Sequence, residues 1–92
     1  MAIIGIRHKG LKQLFETGAS RKVNRNWWKG AVMIMDHLDA VASLDDCSGV
    51  KDFHPLKGGR RGEYAMHVNG NWCITFTFDG RNVEILDLED YH

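Results

Sequence analysis

The chain has 92 residues and a formal net charge of zero, and this length suits one domain (residues 1–92) with a single apolar core. Zero net charge is unlike a uniformly basic nucleic-acid-binding protein. No apolar run approaches the roughly 18 residues of a membrane span, so no membrane partner is expected. Two cysteines, Cys47 and Cys73, are too few for a disulfide framework and favour a reduced, cytoplasmic setting.

The charges are unevenly distributed along the chain. Residues 7–29 carry seven cations against one acid, and a second basic group follows between residues 57 and 61. Acidic side chains concentrate in residues 30–56 and 79–92. This segregation favours a basic face that binds phosphates and an acidic face for another partner, although a solvated surface without a partner is the alternative.

The first half of the chain predicts one strand and two helices. Residues 2–6 are apolar and predict a strand, and Leu11, Leu14 and Phe15 predict a short amphipathic helix that ends at Gly18. Ser20 is the predicted N-cap of a second helix. The buried stripe of that helix has a spacing near 3.6 residues and comprises Val23, Trp27, Ala31, Ile34, Met35, Leu38 and Val41.

The last third of the chain, residues 63–92, predicts three strands. Asn69-Gly70 and Asp79-Gly80 separate them and suit type I′ turns. Period-two alternation in the middle strand predicts one buried face and one open face, the open one carrying Cys73, Thr75 and Thr77. The last strand changes phase between residues 83 and 88, which predicts either a bulge or burial of both faces.

Residues 43–61 lack periodicity, and a connection of this length is usually functional. Pro55 favours an extended backbone at His54. Three glycines follow among three cations, a composition that favours phosphate binding. The chain then closes on three chemically capable side chains, Asp90, Tyr91 and His92.

These motifs resemble the HigB toxins, the RelE-like branch of bacterial toxin–antitoxin systems. The similarity covers almost the whole chain, and the motifs together are specific although each alone is weak. They comprise His8-Lys9-Gly10-Leu11 through Phe15, His54-Pro55-Leu56-Lys57-Gly58 through Gly62, Asn71-Trp72 with Ile74-Thr75-Phe76, and Glu89-Asp90-Tyr91-His92. With the predicted elements, the resemblance implies an α+β RelE-like fold. Two N-terminal helices would pack on one face of a small antiparallel sheet made of the C-terminal meander and the N-terminal strand.

The resemblance also implies a function and partners. The protein would enter the ribosomal A site in the bacterial cytoplasm and cut mRNA there, without a metal or other cofactor. Its partner would be a helix-turn-helix antitoxin (HigA-like), and the pair would bind operator DNA through the antitoxin to repress its own operon.

The family's reaction is RNA transesterification, in which a ribose 2′-OH attacks its own 3′ phosphate. It needs a proton acceptor, a proton donor and positive charge over the phosphorane. His54 would be the proton-transfer partner opposite His92 or Asp90, and Tyr91 would orient or donate. The matched catalytic positions are thus His54, Asp90, Tyr91 and His92. The predicted RNA-binding residues are Lys57, Arg60, Arg61 and His67.

Cys73 departs from the family pattern, because relatives usually carry Arg after the Trp that matches Trp72. An Arg there would supply fixed positive charge and five donors, which Cys lacks. Loss of one such stabiliser commonly costs about 10²–10³ in rate. Cys73 therefore marks either a weakened natural variant or an inactivating change. A nucleophilic role for Cys73 is disfavoured, because the substrate's own hydroxyl attacks.

Two other interpretations belong to different classes. The first is a non-catalytic subunit that keeps the toxin fold and acts only with an antitoxin as co-repressor. The second is a metal site built from His54, His67, Asp90 and His92. These residue types are suitable ligands, but no spacing signature supports the site, so no metal is expected.

Overall fold

The computed structural model describes residues 2–90, so the predicted catalytic residues Tyr91 and His92 lie outside the described residues. Short 3-10 turns lie at Arg25–Trp27, Leu44–Cys47 and Gly58–Arg60. None of the helices in this range is long and apolar enough to cross a membrane. The strands and helices, in chain order, are β1 (Ala2–Ile6), α1 (Lys9–Thr17), α2 (Trp28–Ala40), β2 (His54–Pro55), β3 (Glu63–Asn69), β4 (Trp72–Phe78) and β5 (Asn82–Asp90).

The five described strands form one sheet in the order β1-β5-β4-β3-β2. Strands β2 to β5 pair antiparallel, as the meander predicts. β1 pairs parallel to β5, so the prediction of a wholly antiparallel sheet is wrong at this edge. Parallel pairing needs a long crossover rather than a hairpin, and the chain between β1 and β5 provides one. The predicted α+β class, with two helices on one face, is confirmed.

The two helices differ in how well the sequence predicts their ends. α1 begins after His8, whose Nδ1 accepts a hydrogen bond from the Leu11 amide (3.0 Å), and it ends at Gly18 with φ +85°, as predicted. The predicted N-cap at Ser20 is wrong. The side chains of Ser20 and Asn24 each accept a backbone N–H two residues ahead, and such local bonds compete with helix formation. α2 therefore begins only after the first 3-10 turn.

The apolar core lies between the helices and one face of the sheet. Its fully buried members include Leu14, Ile34, Met35 and Phe76. The opposite face of β4 is not open at its centre, which corrects the sequence interpretation: Cys73 and Thr75 have no exposed surface. Cys73 packs with Leu56, just after β2, and Ala65 of β3.

Both predicted hairpins form, but neither has the predicted turn type. A type I′ turn needs positive φ at both central residues, yet neither Asn69 nor Asp79 has positive φ. Gly70 (φ +57°) and Gly80 (φ +97°) instead follow those residues and begin the turns, as in type II′. The predicted bulge in β5 is confirmed by the register shift that leaves Leu86 unpaired with β4.

Candidate active site

His54 lies on β2, the short edge strand of the sheet, where it pairs with Ala65 of β3. Its Nδ1 lies 2.8 Å from the backbone oxygen of Asp52. A carbonyl oxygen only accepts hydrogen bonds, so His54 Nδ1 carries the hydrogen and donates it. The neutral ring therefore has its lone pair on Nε2. The half-buried His54 is thus oriented so that Nε2 is the atom able to accept a proton.

His67 of β3 lies beside His54, and their ring centroids are 5.6 Å apart. His67 Nδ1 donates to the backbone oxygen of Gly70 (2.9 Å), while its Nε2 lies 3.2 Å from Asp52 Oδ2. The structure therefore brings together two histidines that the sequence placed 13 positions apart. Asp52 was missed by the sequence analysis. Its position depends on consecutive left-handed residues, Lys51 (φ +51°) and Asp52 (φ +54°), which no local sequence signal identifies.

Cys73 lies at the centre of this face, directly across from His67 on β3 and Glu89 on β5. Burial raises the pKa of the Cys73 thiol, and the carboxylates of Glu89, Asp52 and Asp90 raise this pKa further. Glu89 and Asp90 lie on β5, and Asp52 lies in the turn before β2. The thiolate is the nucleophilic form of cysteine, so this environment agrees with the view that Cys73 is not a nucleophile.

Arg60 is held on the same face by two carboxylates. Its Nε and Nη2 donate to Glu63 Oε1 (3.1 and 2.8 Å), and its Nη1 and Nη2 donate to the two carboxylate oxygens of Glu89. Thr75 Oγ1 also donates to Glu89 Oε2 (3.0 Å). The hydrogen bonds from Arg60 lower the pKa of Glu89, and those to Glu89 raise the pKa of Arg60. Four of the five N–H groups of the Arg60 guanidinium therefore already donate to carboxylates.

The other predicted site residues lie around this group. Lys57 and Arg61 are exposed and flank the 3-10 turn at Gly58–Arg60. Within residues 2–90, no carboxylate forms an ion pair with either of them. Asp90 is exposed at the end of β5, opposite Trp72, and leads into Tyr91 and His92. The described part of the site thus has two histidines, several carboxylates and two exposed cations.

Comparisons with known proteins agree on one family. The family model of HigB-like toxins, which are RelE-like toxins of the type II toxin–antitoxin system HigB, matches residues 5–92. Endoribonuclease HigB of Proteus vulgaris is 37% identical over 94 residues, covering 98% of this chain and 99% of the relative. The YoeB dimer from Staphylococcus aureus has a TM-score of 0.65 at 17% identity, covering 100% of this chain and 97% of that chain. The YoeB/ParE toxin from Agrobacterium tumefaciens has a TM-score of 0.65 at 11% identity and full coverage of both.

The fold is that of the small α+β toxins related to YoeB. The chain belongs to the HigB-like family of type II toxin–antitoxin toxins, which confirms the family and fold expected from its motifs. The roles of the individual site residues stay predictions.

Proposed function

We propose that this toxin is a ribosome-dependent endoribonuclease that cuts mRNA in the ribosomal A site and so inhibits translation and growth. One observation carries the proposal: the ring of His54 is half-buried and oriented by the Asp52 carbonyl, with its lone pair on Nε2. Family membership and the name of the Proteus vulgaris relative, an endoribonuclease, support the same reaction.

In the proposed reaction the 2′-oxygen forms a bond to phosphorus and the bond from phosphorus to the 5′-oxygen breaks. The proton of the 2′-OH passes to a base, and the leaving 5′-oxygen receives a proton from an acid, giving a 2′,3′-cyclic phosphate and a 5′-OH. His54 Nε2 serves one of these transfers, and Asp90 or His92 serves the other. Tyr91 orients the phosphate or donates a proton. Such proton transfers typically contribute about 10²–10⁴ in rate.

Positive charge around the phosphate comes from residues 57–61. Lys57 and Arg61 are exposed and contact the RNA phosphates, because no described carboxylate competes for them. Arg60 is paired with Glu63 and Glu89, so its positive charge acts on the phosphate at a distance rather than through a direct contact. His67 borders the site beside His54 and lies within reach of an RNA chain bound there.

Cys73 weakens this enzyme relative to relatives with Arg at the same position. Its neutral, buried thiol supplies no charge to the phosphorane. Position 73 lies across from Glu89, which binds the guanidinium of Arg60. An arginine that reaches the phosphorane from this position would supply the missing positive charge and increase the cleavage rate, by up to about 10²–10³ for a full transition-state contact.

The partners follow from the family. A HigA-like helix-turn-helix antitoxin binds and neutralises the toxin in the bacterial cytoplasm, and the pair binds operator DNA through the antitoxin. A YoeB–YefM complex from Staphylococcus aureus, with a TM-score of 0.65 to this chain, supports an antitoxin partner for this fold.

Primer extension on a reporter mRNA in a reconstituted translation system tests the proposal. The wild type and Cys73→Arg are compared with and without ribosomes. We expect cuts only with ribosomes and faster cutting by Cys73→Arg. Equal cutting of free RNA contradicts ribosome dependence, and an absence of cuts from both proteins favours a non-catalytic co-repressor.

A further inference from the structure

Asp52, His54 and His67 form a cluster that the proposed RNA chemistry does not fully use. One carboxylate oxygen of Asp52 and one ring nitrogen of each histidine all lie within 4.8 Å of one another. They come from three different places: a left-handed turn, the edge strand β2 and strand β3. Two imidazoles and one carboxylate are a common ligand set for zinc with an open fourth position.

The hydrogen bonds of both histidines match those of metal ligands. A metal-binding histidine usually donates its other ring N–H to a carboxylate or a backbone carbonyl, which fixes the tautomer and the ring. His54 Nδ1 donates to the Asp52 carbonyl (2.8 Å), and His67 Nδ1 donates to the Gly70 carbonyl (2.9 Å). The Nδ1 of each ring is therefore held by a backbone carbonyl, and Nε2 is the ring nitrogen whose lone pair can bind a metal ion.

The contact between His67 and Asp52 also favours a cation. In the neutral tautomer fixed by Gly70, the lone pair of His67 Nε2 points at the Asp52 carboxylate oxygen, 3.2 Å away. Two such lone pairs repel unless a proton or a metal ion lies between them. Ligand bonds of about 2.0–2.1 Å in a tetrahedral zinc site place the ligand atoms roughly 3.3 Å apart. This pair already has that separation.

The backbone holds Asp52 in place at an energetic cost. Lys51 and Asp52 both have positive φ, a conformation that is unfavourable for residues other than glycine. The Lys51 carbonyl accepts a hydrogen bond from the His67 amide (2.7 Å), which ties this turn to β3. Strained backbone of this kind is often found at ligand sites. Here it directs the Asp52 carboxylate to His67.

We propose that Asp52, His54 and His67 bind one divalent transition-metal ion of the zinc class. Modest movement of the His54 ring completes the three-ligand set, and water occupies the fourth position. A metal on His54 blocks the nitrogen that transfers the proton, so the bound ion inhibits RNA cleavage reversibly. The inhibition, but not the binding, rests on the function proposed above.

Calorimetric titration of the purified chain with Zn²⁺ alone tests the site. The variants are Asp52→Asn and His67→Gln, with His37→Gln as the matched histidine control on α2. We expect one ion per chain, an affinity at least tenfold weaker in both site variants, and wild-type affinity in the control. Absence of binding, or equal binding by all four proteins, overturns the site. Equal binding would place the ion elsewhere, for example on the cysteines.

A second measurement separates the site from the proposed function. Ribosome-dependent cleavage is followed for each protein with Zn²⁺ and after chelation, and each variant is compared only with itself. We expect Zn²⁺ to slow the wild type in proportion to occupancy and chelation to restore the rate. If the site binds Zn²⁺ and the cleavage rate does not change, the proposed inhibition is wrong. Zinc binding without cleavage by any form contradicts the proposed function and leaves the metal site standing.

Discussion

At the scale of single residues, Arg60 and Glu89 join two distant parts of the chain. Arg60 lies in the turn before β3, and Glu89 lies near the end of β5, which leads toward the predicted catalytic terminus. Both side chains are only partly exposed, 34% for Arg60 and 23% for Glu89. Their hydrogen bonds are therefore shielded from water more than those of an ordinary surface pair.

We expect Glu89→Gln to lower the free energy of unfolding by about 1–2 kcal/mol, since charged hydrogen bonds are worth about 1.5–3 kcal/mol before screening. Glu84→Gln on the same strand is the control. Glu84 pairs with Arg7, which is 68% exposed, so its loss should cost less than about 0.5 kcal/mol. Urea unfolding at pH 7 measures both. Equal effects would contradict a special role for the Arg60–Glu89 pair.

The same pair predicts a pH dependence. Arg60 lowers the pKa of Glu89 in the folded protein below its ordinary value of about 4.3. The stabilisation that ionised Glu89 gives the folded protein is therefore complete at pH values above its ordinary pKa. It is lost as the pH falls through the lower pKa that Glu89 has in the folded protein. The stability difference between wild type and Glu89→Gln should shrink steadily below about pH 4. A difference that stays constant between pH 7 and pH 2 would contradict this assignment.

The exposed cations give a third prediction. Lys57→Ala and Arg61→Ala should each raise the toxin concentration for half-maximal mRNA cleavage about tenfold, because each loses a charged hydrogen bond worth roughly 1.5 kcal/mol. The exposed Lys12 of α1 provides the control Lys12→Ala. Titration of programmed ribosomes with each protein measures the effect. If both variants reach half-maximal cleavage at the wild-type concentration, Lys57 and Arg61 do not contribute to RNA binding.

The backbone conformation at His54 was easier to predict than the contacts around it. His54 could be predicted as extended because Pro55 follows it, and the structure places it on β2. Asp52 could not be predicted, because its approach to His67 depends on a backbone conformation set by contacts with β3. The engagement of Arg60 was also unpredictable, since Glu89 is 29 positions away in sequence.

At the scale of elements, the left-handed turn at Lys51–Asp52 positions both candidate sites. The carbonyl of Lys51 receives the His67 amide, and the carbonyl of Asp52 receives His54 Nδ1. Two short hydrogen bonds thus connect one irregular turn to both histidines. The turn acts as the scaffold for this edge of the sheet.

Strain in this turn predicts a stabilising substitution. Lys51→Gly should raise the free energy of unfolding by about 0.5–1 kcal/mol, because glycine adopts positive φ without the cost that Lys carries. The same substitution at Lys12, inside α1, should lower it by about 1 kcal/mol. Thermal and urea unfolding compare the two. Destabilisation by both substitutions would show that Lys51 is not strained.

Most regular elements followed their local signals, and two exceptions had different causes. Glycine predicted the end of α1 and the positions of both hairpins, because only glycine adopts those φ angles freely. The predicted start of α2 was wrong because the side chains of Ser20 and Asn24 accept hydrogen bonds from nearby backbone N–H groups. The predicted antiparallel direction of β1 was wrong because its partner β5 lies at the other end of the chain. The sequence of a five-residue strand does not indicate the direction of such a distant partner.

At the scale of the whole molecule, the sheet separates the apolar core on one face from the candidate site on the other. The helices and the apolar core occupy one face and give the fold its stability. The opposite face carries the small cluster of Leu56, Ala65 and Cys73, and around it the histidines, acids and basic turn. Substitutions of the histidines and the exposed cations on the second face should therefore alter chemistry more than folding, which makes the candidate site testable by mutation.

The central claim is that His54 transfers a proton during RNA cleavage. The most direct test is the single-turnover rate of mRNA cleavage on programmed ribosomes for the wild type, His54→Ala and the control His37→Ala. Circular dichroism confirms that all three are folded. We predict a loss of about 10²–10⁴ for His54→Ala and a wild-type rate for His37→Ala. A wild-type rate for folded His54→Ala would contradict the account.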